Sequence, residues 1–365
     1  MGAALVLIPS FNVFLRAVLC IILAFAGGLT AARIGIPLPY MLGAIGVTMF
    51  AALAGAPLAR PAAIVVLPMR VVLGVLLGST VTPDLLEHMG ALAGSAAMVP
   101  MFAVIATALG GTYYHRVAGY SREEAFFSAV PGGLYVMTTY AEEAGVDIRR
   151  VALAHALRIT FVVILAPLAA RVLVDIPQVN VLQVSPSFID IELRDLALLT
   201  VAGAVGWTFG RMTGMPGAQI VGPMLASGAL HLSGITTARP PGEAIVISQV
   251  VLGSYIGSRY VGEKLSLVRD SIFYALGHVV MMLCLGFAFA YLLHIWLGVQ
   301  VITGLLSFAP GGMSEIGLIA LALGLDVGFV ATIQLTRLMT IALLAPAAWR
   351  RIKGLVVREN AEAKR

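Results

Sequence analysis

The chain repeats itself at one fixed offset, which restricts its fold to two copies of one unit. Pro131 recurs as Pro310, and Pro167 recurs as Pro346. We call the step from Pro131 to Pro310 the repeat offset. Other residues that keep this register are the pairs Gly35 and Gly214, Pro37 and Pro216, Gly43 and Gly222, Ser128 and Ser307, Asp147 and Asp326, and Arg158 and Arg337. Composition alone does not hold rare residues in one register without a gap, so the pattern indicates a duplication.

The composition predicts a polytopic α-helical membrane protein. The chain is 60% hydrophobic and 11% charged, with a mean hydropathy of +0.98, whereas a soluble domain carries about 25% charged residues. Apolar runs recur from end to end at lengths near the roughly 20 residues that a spanning helix needs. Cys20 and Cys284 both fall in such runs, which favours packing roles over a disulfide.

Each copy contains six hydrophobic segments. They lie near residues 12–32, 38–55, 61–82, 89–112, 123–144 and 150–173 in the first copy, and near 195–212, 215–233, 243–262, 270–297, 302–323 and 328–348 in the second. The predicted units are repeat 1 (1–174), a linker (175–194), repeat 2 (195–349) and a basic tail (350–365).

The fifth segment of each copy carries Pro-Gly-Gly, at Pro131 and at Pro310. Proline and glycine are the poorest residues for a helix interior. Backbone groups that a break leaves unpaired are tolerated at membrane depth only inside protein or beside a wet cavity. The pattern therefore predicts a broken helix or a re-entrant hairpin in each copy.

Charge in the loops predicts opposite orientations for the two copies. Arg116 and Arg122 follow the fourth segment of the first copy, whereas the equivalent stretch of the second copy, HIWLGVQ, is uncharged apart from its histidine. By the positive-inside rule the basic C-terminal tail is cytoplasmic. We expect an all-α protein of two inverted repeats with five transmembrane helices each and both termini in the cytoplasm, the architecture of many secondary transporters.

The exposed helix ends at the two breaks predict an anion site. Free N–H groups at Gly132, Gly133, Gly311 and Gly312 would carry partial positive charge; the alternative is a kink that only eases packing. The predicted substrate-binding set is Ser128, Pro131, Gly132, Gly133, Tyr135, Arg158, Ser307, Pro310, Gly311, Gly312, Ser314 and Arg337.

Arg158 and Arg337 occupy equivalent positions deep in the sixth segments. An arginine at that depth costs at least about 2.5 kcal/mol on insertion scales and must face the interior with a partner. His155 and Gln334 precede them by three residues and share their helix faces. Two interpretations stay open: the guanidinium grips a substrate carboxylate, or it holds backbone carbonyls that the break releases.

Glu315 is an acidic residue beside the second break, and its counterpart in the first copy is Val136. A carboxylate near the midplane predicts a proton carrier or a Na⁺ ligand, with a structural ion pair to Arg337 as the alternative. Arg70 is a weaker candidate for a second cationic group. The spacing of Gly74 with Gly78, repeated by Gly253 with Gly257, predicts close helix packing.

Enzymatic and nucleic-acid roles find no support in the sequence. The histidines are scattered singly, and no P-loop, G-x-S-x-G or C-x-x-C motif occurs, so we predict no enzyme, no metal and no cofactor other than a coupling H⁺ or Na⁺. The absence of a soluble domain speaks against nucleic-acid binding. The expected partners are a small anionic solute and membrane lipid, with a homodimer left open.

The Pro-Gly-Gly segments, together with GIPLPYMLG in the first copy, GMPGAQIVGP in the second and above all APGGMSE, resemble the AbrB-duplication family of bacterial membrane proteins. The resemblance covers nearly the whole chain and implies a location in the bacterial inner membrane. Members are labelled as regulators of the adaptive-response gene product AidB or as ammonia monooxygenase. The second label conflicts with the lack of a metal-ligand cluster in this sequence.

These observations lead to a predicted function. We expect a secondary transporter that moves a small anionic solute, such as a carboxylate, by alternating access of the elevator type. The alternative is a membrane-embedded ligand sensor that regulates gene expression through a partner. A channel is a third option, weakened by the lack of a ring-forming charged motif.

Overall fold

The computed structural model describes residues 11–81, 89–173, 185–263 and 265–362. Within these ranges the regular structure is helical and contains no strand. The first half forms α1 (Phe11–Ile34), α2 (Pro39–Leu53), α3 (Ala63–Gly78), α4 (Met89–Arg116), α5 (Arg122–Ala129), α6 (Leu134–Glu143) and α7 (Ile148–Leu173). The second half forms α8 (Leu193–Met212), α9 (Ala218–Leu232), α10 (Gly242–Gly257), α11 (Leu265–Leu297), α12 (Val301–Phe308), α13 (Met313–Ala322) and α14 (Val327–Glu362), with a 3₁₀ turn at Ser258–Tyr260.

The helix bounds of the second half repeat those of the first. The pairs α2 and α9, α3 and α10, α5 and α12, and α6 and α13 each begin and end at positions separated by the repeat offset. Glycine in the left-handed region ends α1 and α2, with φ of 75° at Gly35 and 83° at Gly55, and the equivalent Gly214 and Gly234 have φ of 65° and 70°. A residue with a Cβ would be strained at these helix ends.

Five helices of the described chain are long and apolar enough to cross a membrane: α1, α4, α7, α11 and α14. The predicted segments 38–55 and 61–82 form shorter helices, α2 with 15 residues and α3 with 16. At 1.5 Å per residue they extend about 23 Å, less than the roughly 30 Å of hydrocarbon in a bilayer. They are shorter than predicted because Gly55 ends α2, and α3 begins only at Ala63, after Pro57 and Pro61.

The helices pack in two groups. One group consists of α1–α3 with α8–α10, and the other consists of α4–α7 with α11–α14. Each group takes equivalent helices from both halves, and both Pro-Gly-Gly breaks lie in the second group. The groups meet where α3 contacts α13 and α14 and where α2 contacts α7.

Glycines bring helices of the two halves into backbone contact, as their spacing predicts. A Cβ on Gly78 of α3 would collide with the carbonyl of Met224 in α9, and a Cβ on Gly257 of α10 would collide with the carbonyl of Ile45 in α2. Ile45 and Met224 are themselves separated by the repeat offset, so the two contacts are reciprocal. Such reciprocity is what a two-fold relation between two copies produces.

The remaining expectations concern the cysteines, the linker and the tail. Cys20 and Cys284 are both free thiols. Residues 174–184 of the linker region lie outside the described residues. The described part of the predicted tail is not a unit separate from repeat 2, because α14 continues from the candidate membrane span to Glu362. Arginine, lysine and glutamate favour the helix there, and Gly354 alone does not end it.

Candidate functional site

Both predicted breaks are turns of extended backbone between two short helices. Val130 has φ −51° and ψ 125°, and the equivalent Ala309 has φ −56° and ψ 132°, so neither break depends on a left-handed glycine. The glycines provide room instead. A Cβ on Gly132 would lie 3.0 Å from Cγ2 of Ile341 in α14, and one on Gly311 would lie 3.2 Å from Cγ1 of Val162 in α7. Each break therefore packs against the last helix of the opposite half, at equivalent residues.

Two of the four N–H groups expected to be free are engaged. The Gly132 N–H donates to the Val130 carbonyl at 2.7 Å, and the Gly311 N–H donates to the Ala309 carbonyl at 2.9 Å. Each break closes on itself across the proline in a three-residue turn, so the prediction was wrong for these two glycines. Gly133 and Gly312 occupy the N-cap positions of α6 and α13. No heavy atom lies within 4 Å of a Cβ placed on Gly133.

Arg158 and Arg337 hold the two breaks in the same way. The Arg158 guanidinium donates to the carbonyls of Val130 and Gly132, each at 2.9 Å. Arg337 donates to the equivalent carbonyls of Ala309 and Gly311, the latter at 3.0 Å. The two side chains are 2% and 5% exposed. Of the two open interpretations, the structure shows the hydrogen bonds from the arginines to the carbonyls that the breaks release. Binding of a substrate carboxylate by these guanidinium groups stays a prediction.

His155 and Gln334, three positions before the two arginines, form different hydrogen bonds at the two breaks. His155 Nε2 lies 2.8 Å from the Phe127 carbonyl. Gln334 donates to the equivalent Leu306 carbonyl at 2.8 Å, and its Oε1 accepts from Arg337. The second break is thus held by a connected network, whereas His155 contributes one bond to the first.

A group of buried polar atoms beside the first break has no hydrogen-bond partner. These atoms are Tyr114 Oη, Ser128 Oγ, His155 Nδ1, Arg158 Nε and both ring nitrogens of His278. The rings of Tyr114 and His278 have centroids 4.7 Å apart, and Tyr114 packs in one cluster with Ala129, which directly precedes the break. Buried polar groups are nearly always satisfied, so a concentration of unsatisfied ones marks a candidate binding site. We call these five residues the polar cluster.

The equivalent place in the other half is apolar. Tyr114 corresponds to Leu293 and His278 corresponds to Val99, and both counterparts are fully buried in a hydrophobic cluster with Phe102, Phe289 and Phe308. Sequence reasoning missed Tyr114 and His278. A comparison of the two copies position by position would have found them, because each is a polar residue whose counterpart at the repeat offset is apolar.

Glu315 is half-buried at the first turn of α13. It accepts a hydrogen bond from Ser314 Oγ at 2.9 Å, and its carboxylate folds back over Gly312. The alternative of an ion pair with Arg337 is not realised in the described part of the chain, because that guanidinium is occupied by carbonyls and Gln334. The guanidinium of Arg259, a half-buried arginine, lies over the ring of Tyr255.

The other predicted site residues are placed as follows. Ser307 donates to the Thr303 carbonyl at 2.7 Å, and the side chain of Tyr135 lies outside the described residues. Arg70 donates to Gln219 at 2.6 Å and does not belong to either break. Across the described ranges, no group of three or more His, Cys, Asp or Glu side chains could hold a metal ion.

Comparison with known proteins gives one family and two relatives. A family model described as "Transition state regulatory protein AbrB" matches residues 40–353. "Uncharacterized protein YhjN" of Bacillus subtilis (strain 168) is 24% identical over 361 residues, covering 92% of both chains. "Putative regulator AbrB" of Escherichia coli (strain K12) is 24% identical over 301 residues, covering 80% of this chain and 84% of the relative.

Proposed function

This chain belongs to the AbrB family, which confirms the resemblance seen in its sequence, and we propose that it is a secondary transporter of a small anionic solute. Transport occurs by alternating access and is coupled to H⁺ or Na⁺. The protein lies in the bacterial inner membrane with both termini in the cytoplasm, as two inverted repeats. Reciprocal contacts such as those of Gly78 and Gly257 support the two-fold relation.

The polar cluster is the observation that carries this proposal. Its unsatisfied donors include the Nε–H of Arg158, whose guanidinium also donates to the Gly132 carbonyl in the first break. The helix that starts there, α6, has no acidic residue in its first turn. A buried cation, unsatisfied hydroxyls and a helix N-terminus together favour an anion. The solute therefore binds at the first break.

The second break suits the coupling cation. The first turn of α13 contains Glu315, whose carboxylate covers the helix end that would otherwise attract an anion. A carboxylate at this depth binds a proton or contributes to a Na⁺ site. The two breaks thus have opposite preferences, which suits cotransport of an anion with a cation.

The two helix groups suit an elevator motion. The group that contains α4–α7 and α11–α14 holds both breaks, and the other group contains neither. A rigid unit that carries the site past a static scaffold gives alternating access. In this arrangement α1–α3 with α8–α10 form the scaffold.

The test is uptake of radiolabelled small anions into proteoliposomes under an inward H⁺ or Na⁺ gradient. We expect uptake of at least one carboxylate by the wild-type protein, and loss of uptake in Arg158→Gln and in His278→Val. Exposed Arg350→Gln serves as the matched control and retains uptake. A broad anion panel without gradient-dependent uptake contradicts the proposal.

A sensor that binds the solute without moving it is the second candidate, because the family description and one relative's name refer to regulation. It predicts saturable binding of an anion that depends on Arg158, with no accumulation in vesicles under either gradient. Uptake and binding measured on the same preparation separate the two functions.

A further inference from the structure

A groove of about 770 Å³ runs between α4, α5 and α14. Apolar side chains, among them those of Ala103, Ala108 and Ala345, form most of its wall, and it reaches Val130 at the first break. Basic side chains lie at its other end: His115, Arg116, Arg122 and Arg351. We call this feature the α4–α14 groove.

The groove has the depth of one bilayer leaflet. Along α4 it extends from Ala103 to Arg116, and along α14 from Ile341 to Arg351. At 1.5 Å per residue these stretches measure about 20 and 15 Å, close to half of a bilayer with its headgroups. The last turn of α4, with Arg116, and the first turn of α5, with Arg122, both lie at the basic end of the groove.

The arginines at the mouth of the groove have no basic counterparts at the repeat offset. None of the described residues that line the groove is acidic. At the repeat offset, the positions of Arg116, Arg122 and Arg351 correspond to Ile295, Val301 and Val172. An apolar trough with cations at headgroup level is complementary to a lipid with an anionic headgroup.

We propose that the α4–α14 groove binds an anionic phospholipid. Its phosphate lies among the guanidinium groups of Arg116, Arg122 and Arg351, which match phosphate in geometry as well as charge. One acyl chain lies along the alanine-rich wall and ends near Val130, beside the first break. This inference does not depend on transport, since a sensor with the same fold would bind the same lipid.

The positive-inside rule alone accounts for arginines at this end of the molecule, so the test must separate a site from a basic surface. Arg149, Arg150 and Arg350 provide the comparison. They lie on α7 and α14 but do not line the groove, and Arg150 pairs with Glu124 at 3.3 Å. Replacing these three removes equal charge and leaves the groove intact.

The experiment measures lipid retention by the full-length purified protein in native mass spectrometry. The probes are phosphatidylglycerol and phosphatidylcholine with identical acyl chains. We expect the wild type to prefer phosphatidylglycerol by about tenfold or more. The triple variant R116Q/R122Q/R351Q loses this preference, and R149Q/R150Q/R350Q keeps it. Ala108→Phe, which fills the groove without a change of charge, also loses it.

Three results overturn the inference. Equal loss of preference in both triple variants assigns the effect to diffuse surface charge. If both triple variants keep the preference for phosphatidylglycerol, or if Ala108→Phe keeps it, the lipid binds elsewhere. Displacement of phosphatidylglycerol by inorganic phosphate alone shows that the arginines bind free phosphate and that the groove contributes nothing.

Discussion

At the scale of single residues, the two halves use one arginine geometry and then diverge. Arg158 and Arg337 hold equivalent carbonyls, but of the two only Arg158 keeps an unsatisfied, buried Nε. Gln334 completes the hydrogen-bond network at the second break, whereas the equivalent His155 leaves its Nδ1 without a partner at the first break. Natural proteins break the rule of polar satisfaction mainly at functional sites, which directs attention to the first break.

Removal of Arg337 should destabilise the protein. In Arg337→Ala the buried Gly311 carbonyl loses its arginine donor, and the Ala309 carbonyl keeps only the Gly311 N–H and Gln334 as donors, so we expect the free energy of unfolding to fall by about 3 kcal/mol. Thermal unfolding in detergent measures this. Exposed Arg350→Ala should stay within about 0.5 kcal/mol of wild type, and an equal loss in both variants would contradict the bracing role.

Replacement of His278 by its counterpart should have the opposite effect on stability. His278→Val removes two buried ring nitrogens that lack partners and introduces the residue found at Val99, so we expect stability to be unchanged or to rise by about 1 kcal/mol. A drop in melting temperature of several degrees would show that His278 is a structural residue.

At the scale of helices, the sequence predicts much and contact geometry supplies the rest. The register of Pro131 with Pro310 places both breaks, and the Gly-x-x-x-Gly pairs mark helices that touch. The approach of Tyr114 to His278 was not predictable, because α4 and α11 meet only in the folded chain. The sequence also does not predict the hydrogen bond from the Gly132 N–H to the Val130 carbonyl. Proline indicates that the helix breaks, but not that the backbone forms a turn across the break.

Two glycine substitutions should distinguish the effect of close helix packing on stability from the effect of helix propensity. Gly78→Ala places a Cβ against the Met224 carbonyl and should cost about 1–3 kcal/mol of stability. Gly46→Ala, within α2 with nothing inside 4 Å of the new Cβ, should gain up to about 1 kcal/mol. Thermal unfolding of the two variants side by side checks both signs.

At the scale of the whole molecule, the proposed architecture consists of two inverted halves. Ser121 and Gln300 are equivalent and exposed, at the loops after α4 and α11. Single cysteines at these positions, in a chain with Cys20 and Cys284 replaced by alanine, should react with membrane-impermeant maleimide from opposite faces of oriented vesicles. Labelling from the same face would mean that the halves are parallel.

The measurement that tests the central claim most directly is the melting temperature of purified protein titrated with acetate, succinate, phosphate and sulfate, in wild type and in Tyr114→Leu/His278→Val. A ligand at a concentration of about a hundred times its Kd raises the free energy of unfolding by about 2.7 kcal/mol. We expect a saturable rise with at least one anion in the wild type and none in the double variant, whose own melting temperature is no lower. A rise that persists in the variant, or no rise with any anion, would contradict the assignment of the solute to the polar cluster.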